Sequence, residues 1–405
     1  MKVLQVNTSV NSGSTGRIAE DIGRLLISRN DLSYIAFARA EGKSVSGLIK
    51  IGNKADIYGH VLKTRLLDGH GFGSYHATKK FLKEVRRVDP DVIHLHNIHG
   101  YYIHIGLLFS YLKEVNKPVV WTLHDCWSFT GHCSHFDRVK CEKWKTQCYS
   151  CPLKKRYPAS WFLDRSKRNY LEKKKLFSSL DSLSLVAPSQ WLADHLENSF
   201  LKDNDIRVIH NGIDLSVFRP DVETQTIRQK YGLENKAVIL GVANVWTETK
   251  GLNDLLELNQ SLRPDEQLVL VGMNKQQLKA LPRGIVGIER TESVDELARF
   301  YALADVYVNP TYLDNFPTTN IEALACGTPV ITYKTGGSAE VIDDRCGIAL
   351  QKGDIAGLRL AIDKLAESDR AVLRSLCAER AKAFYNKDDR FEEYLSLYRK
   401  LVETQ

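Results

Sequence analysis

Long apolar runs are the first thing this sequence lacks. No stretch of its 405 residues approaches the roughly 18 uninterrupted apolar positions of a membrane-spanning helix. The opening residues, MKVLQVNTSV, are too short and too polar for a secretory leader and read as a first strand. Low-complexity tracts and short-period repeats are also missing. A hydrophobic fraction of 43% with 26% charged residues is too apolar for a disordered chain. No HExxH pattern occurs, which removes a common zinc-hydrolase signature. The chain is therefore expected to be globular and cytosolic, its eight cysteines mostly thiols or metal ligands rather than disulfides.

What is present points to more than one domain, since the length suits two to three, each with its own core. The net charge of +7 conceals an asymmetry, because residues 1–200 hold a basic excess and the remainder is net acidic. A basic first half suits phosphates or the headgroups of an anionic membrane; the plainer reading is a solvated surface. Short β-branched runs (KVLQVN, VIHLHN, VVWTL, SLVAPS, RVIHN, AVILGVAN, QLVLVG, VYVNP, PVITY) alternate with helix-length segments. Near-continuous apolar strands so separated predict parallel sheets covered on both faces. The series runs to about residue 189 and restarts near Ile206. The expected architecture is α/β, two doubly wound Rossmann-like domains facing across a cleft. They span residues 1–205, with a Cys-rich loop at 131–152, and 206–385. Apolar residues at Phe391, Tyr394, Leu395, Tyr398 and Leu401 have helical spacing, so residues 386–405 should form a helix packing on the first domain.

Doubly wound sheets bind ligands outside the carboxyl ends of their strands, and each candidate motif falls at such a place. In VNTSVNSGSTGRIAEDIGRLL, Gly13 and Gly16 lie between a strand and a helix whose N–H groups could meet an anion; many such loops hold glycine for turn reasons alone. WTLHDCWSFTGHC ends a strand in His124 and Asp125, whose side chains can reach a sugar hydroxyl or a phosphate. In HLHNIHG, His94 and His96 read as satisfied core histidines and His99 as a loop residue. In GVANVWTETKGLNDLLEL, Lys250 precedes Gly251 and a helix, a suitable contact for a diphosphate, although a lone lysine is more often merely exposed.

The most specific stretch is YLDNFPTTNIEALACGTPV. Asp314 and Glu322 stand with seven residues between them, and the small apolar helix starts at the cap-type residues Thr318, Thr319 and Asn320. Its positive end would stabilise a phosphate. Glu322, read as lying in the first turn, could accept both hydroxyls of a ribose, or merely complement the helix dipole. The next loop, YKTGGSAEVI, adds Gly336, Gly337 and Glu340.

At Asp314, Glu322, Ala323, Gly327, Pro329, Val330, Gly336, Gly337 and Glu340 the chain resembles the retaining GT-B-fold glycosyltransferases of family 4. LADVYVNPTYLDN and VIHNGIDLSVFRP resemble that family's strand into the loop and its entry into the second domain. TLHDCWSFTGHC together with DNFP is similar to a bacterial exopolysaccharide, colanic-acid-type subgroup. The resemblance implies sugar transfer with retention from a UDP- or GDP-linked donor to a glycan or lipid-linked acceptor in surface polysaccharide biosynthesis. The protein would be cytoplasmic, or peripheral to the inner face of the membrane through its basic domain. Donor binding is expected from Gly13, Gly16, Asn244, Lys250, Asn315, Phe316, Pro317, Thr318, Thr319 and Glu322, with His124, Asp125 and Asp314 at the reacting sugar. Two departures stand out: the first acid is Asp where the family usually has Glu, and ANVWTET replaces the usual Gly-Arg, leaving Asn244 where a cation is expected. These motifs contain no Asp-x-Asp pair, so no catalytic divalent metal is expected.

Cys133, Cys141, Cys148 and Cys151 crowd one loop that ends in C-x-x-C, with His132 and His135 as spare ligands. Structural zinc is one reading; free thiols, or disulfides in an unusual compartment, are the others. Rival functions are an epimerase or phosphorylase of the same fold, or a zinc-stabilised nucleic-acid binder. The last lacks a recognition module and leaves Asp314, Glu322 and the Gly-Gly loop without a role, so nucleic acid is not expected as a partner.

Overall fold

The computed structural model describes residues 1–404. The chain divides into unit 1, Met1–Ile209 together with the stretch from Phe391, and unit 2, His210–Arg390. Each unit is built on one parallel sheet. Unit 1 holds β1 (Lys2–Val6), β2 (Leu32–Phe37), β3 (Gly47–Lys50), β4 (Val92–Leu95), β5 (Val119–Thr122), β6 (Leu183–Ala187) and β7 (Asp205–Val208). Unit 2 holds β8 (Ala237–Val242), β9 (Glu266–Val271), β10 (Ile285–Ile288), β11 (Val306–Asn309), β12 (Val330–Tyr333) and β13 (Gly347–Leu350). The strand orders are β3-β2-β1-β4-β5-β6-β7 and β10-β9-β8-β11-β12-β13. In both, the order reverses beside the first strand, between β1 and β4 and between β8 and β11. The crevice for a ligand opens at that reversal.

Both faces of each sheet are buried because alternate side chains feed opposite cores. In unit 1, Val3, Val92, Val120 and Val186 meet Ile18, Ile22 and Leu26 of the helix Gly13–Ser28, and Phe391, Tyr394, Leu395 and Tyr398 of the last helix, Lys387–Glu403. Leu4, Ile93, Trp121 and Leu185 face the other way, toward the helices Tyr75–Val88 and Ile105–Val115. Unit 2 repeats the plan: Val238, Leu240, Val269 and Tyr307 lie on one side, and Ile239, Leu268, Val308 and Ile331 on the other.

Two differences from the sequence reading concern edges. The strand near Ile206 pairs with β6 and so completes the first sheet, and the division falls after Ile209. The edge strands GLIK, IVGI and GIAL went unread because they are short, glycine-bearing and only partly buried. No helix among the described residues is long and apolar enough to cross a membrane.

Candidate active site

In unit 2 the loops after β8, β11 and β12 are fastened to one another. Tyr312 N donates to Thr249 O at 2.9 Å and Gly337 N to Asn315 O at 2.8 Å. Two glycines permit this approach. A Cβ on Gly251 (φ +75°) would stand 2.1 Å from Pro310 O, and one on Gly336 (φ +51°) 1.9 Å from Asp314 O. No L side chain fits either place without backbone movement.

The fastening puts Lys250 Nζ 2.6 Å from Asp314 Oδ2, with both side chains partly exposed. The lysine expected at a diphosphate thus has a carboxylate partner. Beside this pair starts the helix Thr318–Ala325, whose N-cap is Pro317 and makes no side-chain capping bond. The threonines are therefore its first helical residues rather than its caps. Glu322 lies beyond the first turn, which contains no acid. It is 3% exposed and its Oε2 accepts from Tyr301 OH at 2.9 Å. Holding the dipole is thus not its task. A buried carboxylate needs hydrogen-bond partners, and Tyr301 is one that the motif did not announce.

Beneath the loops runs a buried polar network. Asn309 Nδ2 donates to Asn320 Oδ1 at 2.7 Å, and Asn320 Nδ2 donates to Ser338 at 3.0 Å. Thr332 Oγ1 meets Ser338 Oγ at 2.7 Å and Asn309 O at 2.9 Å. This ties the end of β11, the helix N-terminus and the Gly-Gly loop together. A polar residue at the end of each apolar run was its only trace in sequence. Asn315, Phe316 and Pro317 are buried. The Phe316 ring stacks on His210 with centroids 4.8 Å apart, and Asn211 Nδ2 donates to Phe316 O at 3.2 Å. Asn244 is exposed on the loop after β8.

Unit 1 gathers histidines where unit 2 gathers carboxylates and amides. His94, at the end of β4, contacts Thr122 Oγ1 at 2.8 Å and Tyr398 OH at 2.6 Å. His96 contacts Gln5 Oε1 at 3.0 Å and stacks on His124, their ring nitrogens 3.3 Å apart. Burial pushes the His124 imidazole down to about 4, with the Asp125 carboxylate pulling the other way. Asp125 Oδ1 accepts from Trp127 N at 2.8 Å, and its Oδ2 lies 3.0 Å from His99 Nε2. Burial alone would raise that carboxyl, but His99 and the Trp127 N–H outweigh it and hold the group at about 2. His99, read as a plain loop residue, is thus the hydrogen-bond partner of Asp125. Gly13 opens the helix Gly13–Ser28 in clear space, and Gly16 packs on the loop at Ser9 and Asn11.

The four loop cysteines border one narrow void, with His132, Phe136 and Trp144. The zinc expectation meets a difficulty here. Among the described residues, no three or more His, Cys, Asp or Glu side chains are disposed to hold a metal ion. The loop is held instead by aromatic packing and buried polar bonds. Asp68 accepts from His132 Nδ1 at 2.6 Å, both side chains fully buried. Lys173, also buried, donates to Trp127 O at 2.7 Å and Thr130 O at 3.1 Å. Burial brings that ammonium down to about 7. Asp68 and Lys173, far from the motif in sequence, carried no signal of this role.

Two Rossmann-like units, each with a reversal of strand order where loops and a helix N-terminus gather, make a ligand-binding plan that many enzyme classes share, and comparison with known proteins says which class this is. Residues 16–217 match the family described as Glycosyltransferase Family 4, and residues 236–368 that described as Glycosyl transferases group 1. The chain belongs to the family 4 glycosyltransferases. It is 26% identical, over 99% of its length and 100% of the other's, to an Escherichia coli (strain K12) protein provisionally named the colanic acid biosynthesis glycosyl transferase WcaC. A D-inositol 3-phosphate glycosyltransferase of Mycobacterium sp. (strain KMS) is 29% identical over 44% of this chain and 43% of its own. Among solved structures, sucrose-phosphate synthase from Thermosynechococcus elongatus superposes with a TM-score of 0.75 at 17% identity, covering all of both chains. Anabaena Alr3699/HepE in complex with UDP-glucose gives 0.67 at 17% identity, over 98% of this chain and 99% of that one. The fold is that of the GT-B glycosyltransferases.

Proposed function

We propose that this glycosyltransferase transfers a sugar, with retention, from a UDP- or GDP-linked donor to a glycan or lipid-linked acceptor in bacterial surface polysaccharide biosynthesis. The observation that carries the donor half is in unit 2. Lys250, Asp314, Glu322 and the uncapped N-terminus of the helix Thr318–Ala325 converge at the reversal of strand order. Backbone N–H groups near Thr318 and Thr319 bind the diphosphate, Glu322 binds the ribose, and Asp314 faces the donor sugar. As the glycosidic bond breaks, negative charge grows on the diphosphate. Lys250 and the helix terminus are fixed donors aimed at that charge. The acceptor hydroxyl bonds the anomeric carbon as the bond to the diphosphate breaks, and the leaving phosphate takes its proton, so no enzymic base is required. In unit 1, neutral His124, its Nε2 turned to His96, accepts from a sugar hydroxyl at Nδ1, and Asp125, kept ionised beside His99, orients it. The UDP-glucose held by the Anabaena neighbour and the colanic-acid assignment of the Escherichia coli relative support the donor class and the pathway class.

Zinc on the four thiols is the finer part of the reading. Only their convergence on one void supports it, and metal analysis of protein purified without chelator tests it. For the main reading, calorimetry with a panel of nucleotide sugars is the test. Affinity for at least one UDP- or GDP-sugar is expected, with product formation only when acceptor is added. Turnover of the donor without acceptor would favour the epimerase instead.

A further inference from the structure

Residues 161–163 of unit 1 take no part in the sites described above, yet Trp161 is 58% exposed, Phe162 69% and Leu163 40%. Single exposed apolar side chains need no explanation. Three in a row on a fixed backbone do. Trp161 N donates to Arg65 O at 2.7 Å, Arg65 Nη1 to Ala159 O at 3.1 Å, and Lys154 Nζ to Phe162 O at 3.0 Å. The loop is clamped to the end of the helix Lys54–Leu67 while its rings face outward. On that helix Tyr58 and Leu62, one turn apart, are 70% and 55% exposed.

The charge beside these rings is of one sign. Lys155 and Arg156 are exposed, and the Arg65 guanidinium stands 6.0 Å over the Trp161 ring. Residues 152–163 contain no acid. The carboxylate of Asp164 turns back on its own chain, accepting from Cys151 N at 2.7 Å and Ser166 N at 2.9 Å. Aromatic rings with uncompensated cations beside them fit the boundary of an anionic bilayer. There the rings enter the headgroup–acyl zone and the cations lie on lipid phosphates.

We infer that residues 154–163, with the exposed face of the helix Lys54–Leu67, form a docking strip for an anionic lipid surface. Trp161 and Phe162 insert, and Lys155 and Arg156 supply the charge. The inference deepens the proposed function, in which the acceptor is glycan or lipid-linked, by giving unit 1 its membrane contact.

The test is flotation of the full chain with phosphatidylcholine vesicles, with or without phosphatidylglycerol. Binding to the anionic vesicles is expected at about 0.1 M salt, weakening at higher salt. The pair Trp161→Ser and Phe162→Ser should bind roughly tenfold more weakly at every salt. The pair Lys155→Glu and Arg156→Glu, on exposed side chains, should lose only the anionic, salt-sensitive part, and serves if the aromatic variant fails to fold. Wild-type protein that stays out of the anionic vesicles overturns the inference, as do folded variants that float like wild type. Self-association abolished by the aromatic pair, without vesicle binding, would assign the strip to a second copy instead. Nucleotide-sugar affinity on the same samples is a separate readout. Its absence with vesicle binding intact sinks the transferase reading and leaves the docking strip standing.

Discussion

The two units share one strand order through six strands, with β7 added at the edge of the first, and differ in what stands at their strand ends. Unit 1 carries histidines there (His94, His96, His124) with His99 on the loop beyond, whereas unit 2, which contains His210 as its single histidine, carries Lys250, Asp314, Asn309 and Asn320. The same backbone plan therefore presents neutral imidazoles in one place and fixed charges and amides in the other. Topology decides where a ligand binds; side chains at the strand ends decide which chemistry it meets.

Acid should break this comparison most strongly. Burial lowers His94 to about 3 and His124 to about 4, so the unfolded chain takes up protons first as pH falls. The stability these neutral rings contribute is complete above about pH 6.5 and is lost progressively on the way down to those values, at about 1.4 kcal/mol per pH unit for each ring. Unit 1 should lose several kcal/mol between about pH 6.5 and 4, and unit 2 much less. Hydrogen exchange followed unit by unit against pH measures this. Equal loss in both units would remove the histidines as its cause.

Glu322→Ala comes next. It removes a buried carboxylate and strands Tyr301 OH, and donor affinity should fall by roughly 2–3 kcal/mol, read by calorimetry. Unchanged affinity in a folded variant would dismiss the ribose role. Asp314→Ala should cost most of the turnover, on the order of 2 kcal/mol, while Asp314→Glu, the family's usual residue, keeps part of it. A double-mutant cycle with Lys250→Ala should show coupling, since the two groups are 2.6 Å apart; strict additivity would mean that the pair does not act together. The smallest effect is expected from Tyr398→Phe, which deprives His94 of a partner at a cost of about 1 kcal/mol in denaturant unfolding. Donor affinity should not change, because Tyr398 touches His94 and Tyr394 and none of the residues assigned to the donor.

Much of this protein was legible in its residues. Runs such as AVILGV and VVWT, alternating with helix-length segments, suit strands of a parallel sheet covered on both faces. The spacing of Phe391, Tyr394, Leu395 and Tyr398 specified one apolar stripe, and those four side chains are buried. Asp314, Lys250 and Glu322 stood out as charged residues on strand-end loops or at a small apolar helix, and the structure brings the first two into contact. Those signals are local, written in residues a few positions apart.

What sequence could not supply is pairing across distance. Nothing in TLHDCW indicates that Asp125 meets His99, or in the Cys-rich loop that Asp68 and Lys173 hold it, because these partners lie 26 or more residues away and meet only after the sheet has formed. The burial of Glu322 against Tyr301, the Asn309–Asn320–Ser338 network and the outward-facing rings of Trp161 and Phe162 were likewise decided by tertiary structure. Local propensity fixes the period and the ends of each element, but whether a polar group there is paired, buried or left facing outward depends on which distant segment the packed sheet brings beside it.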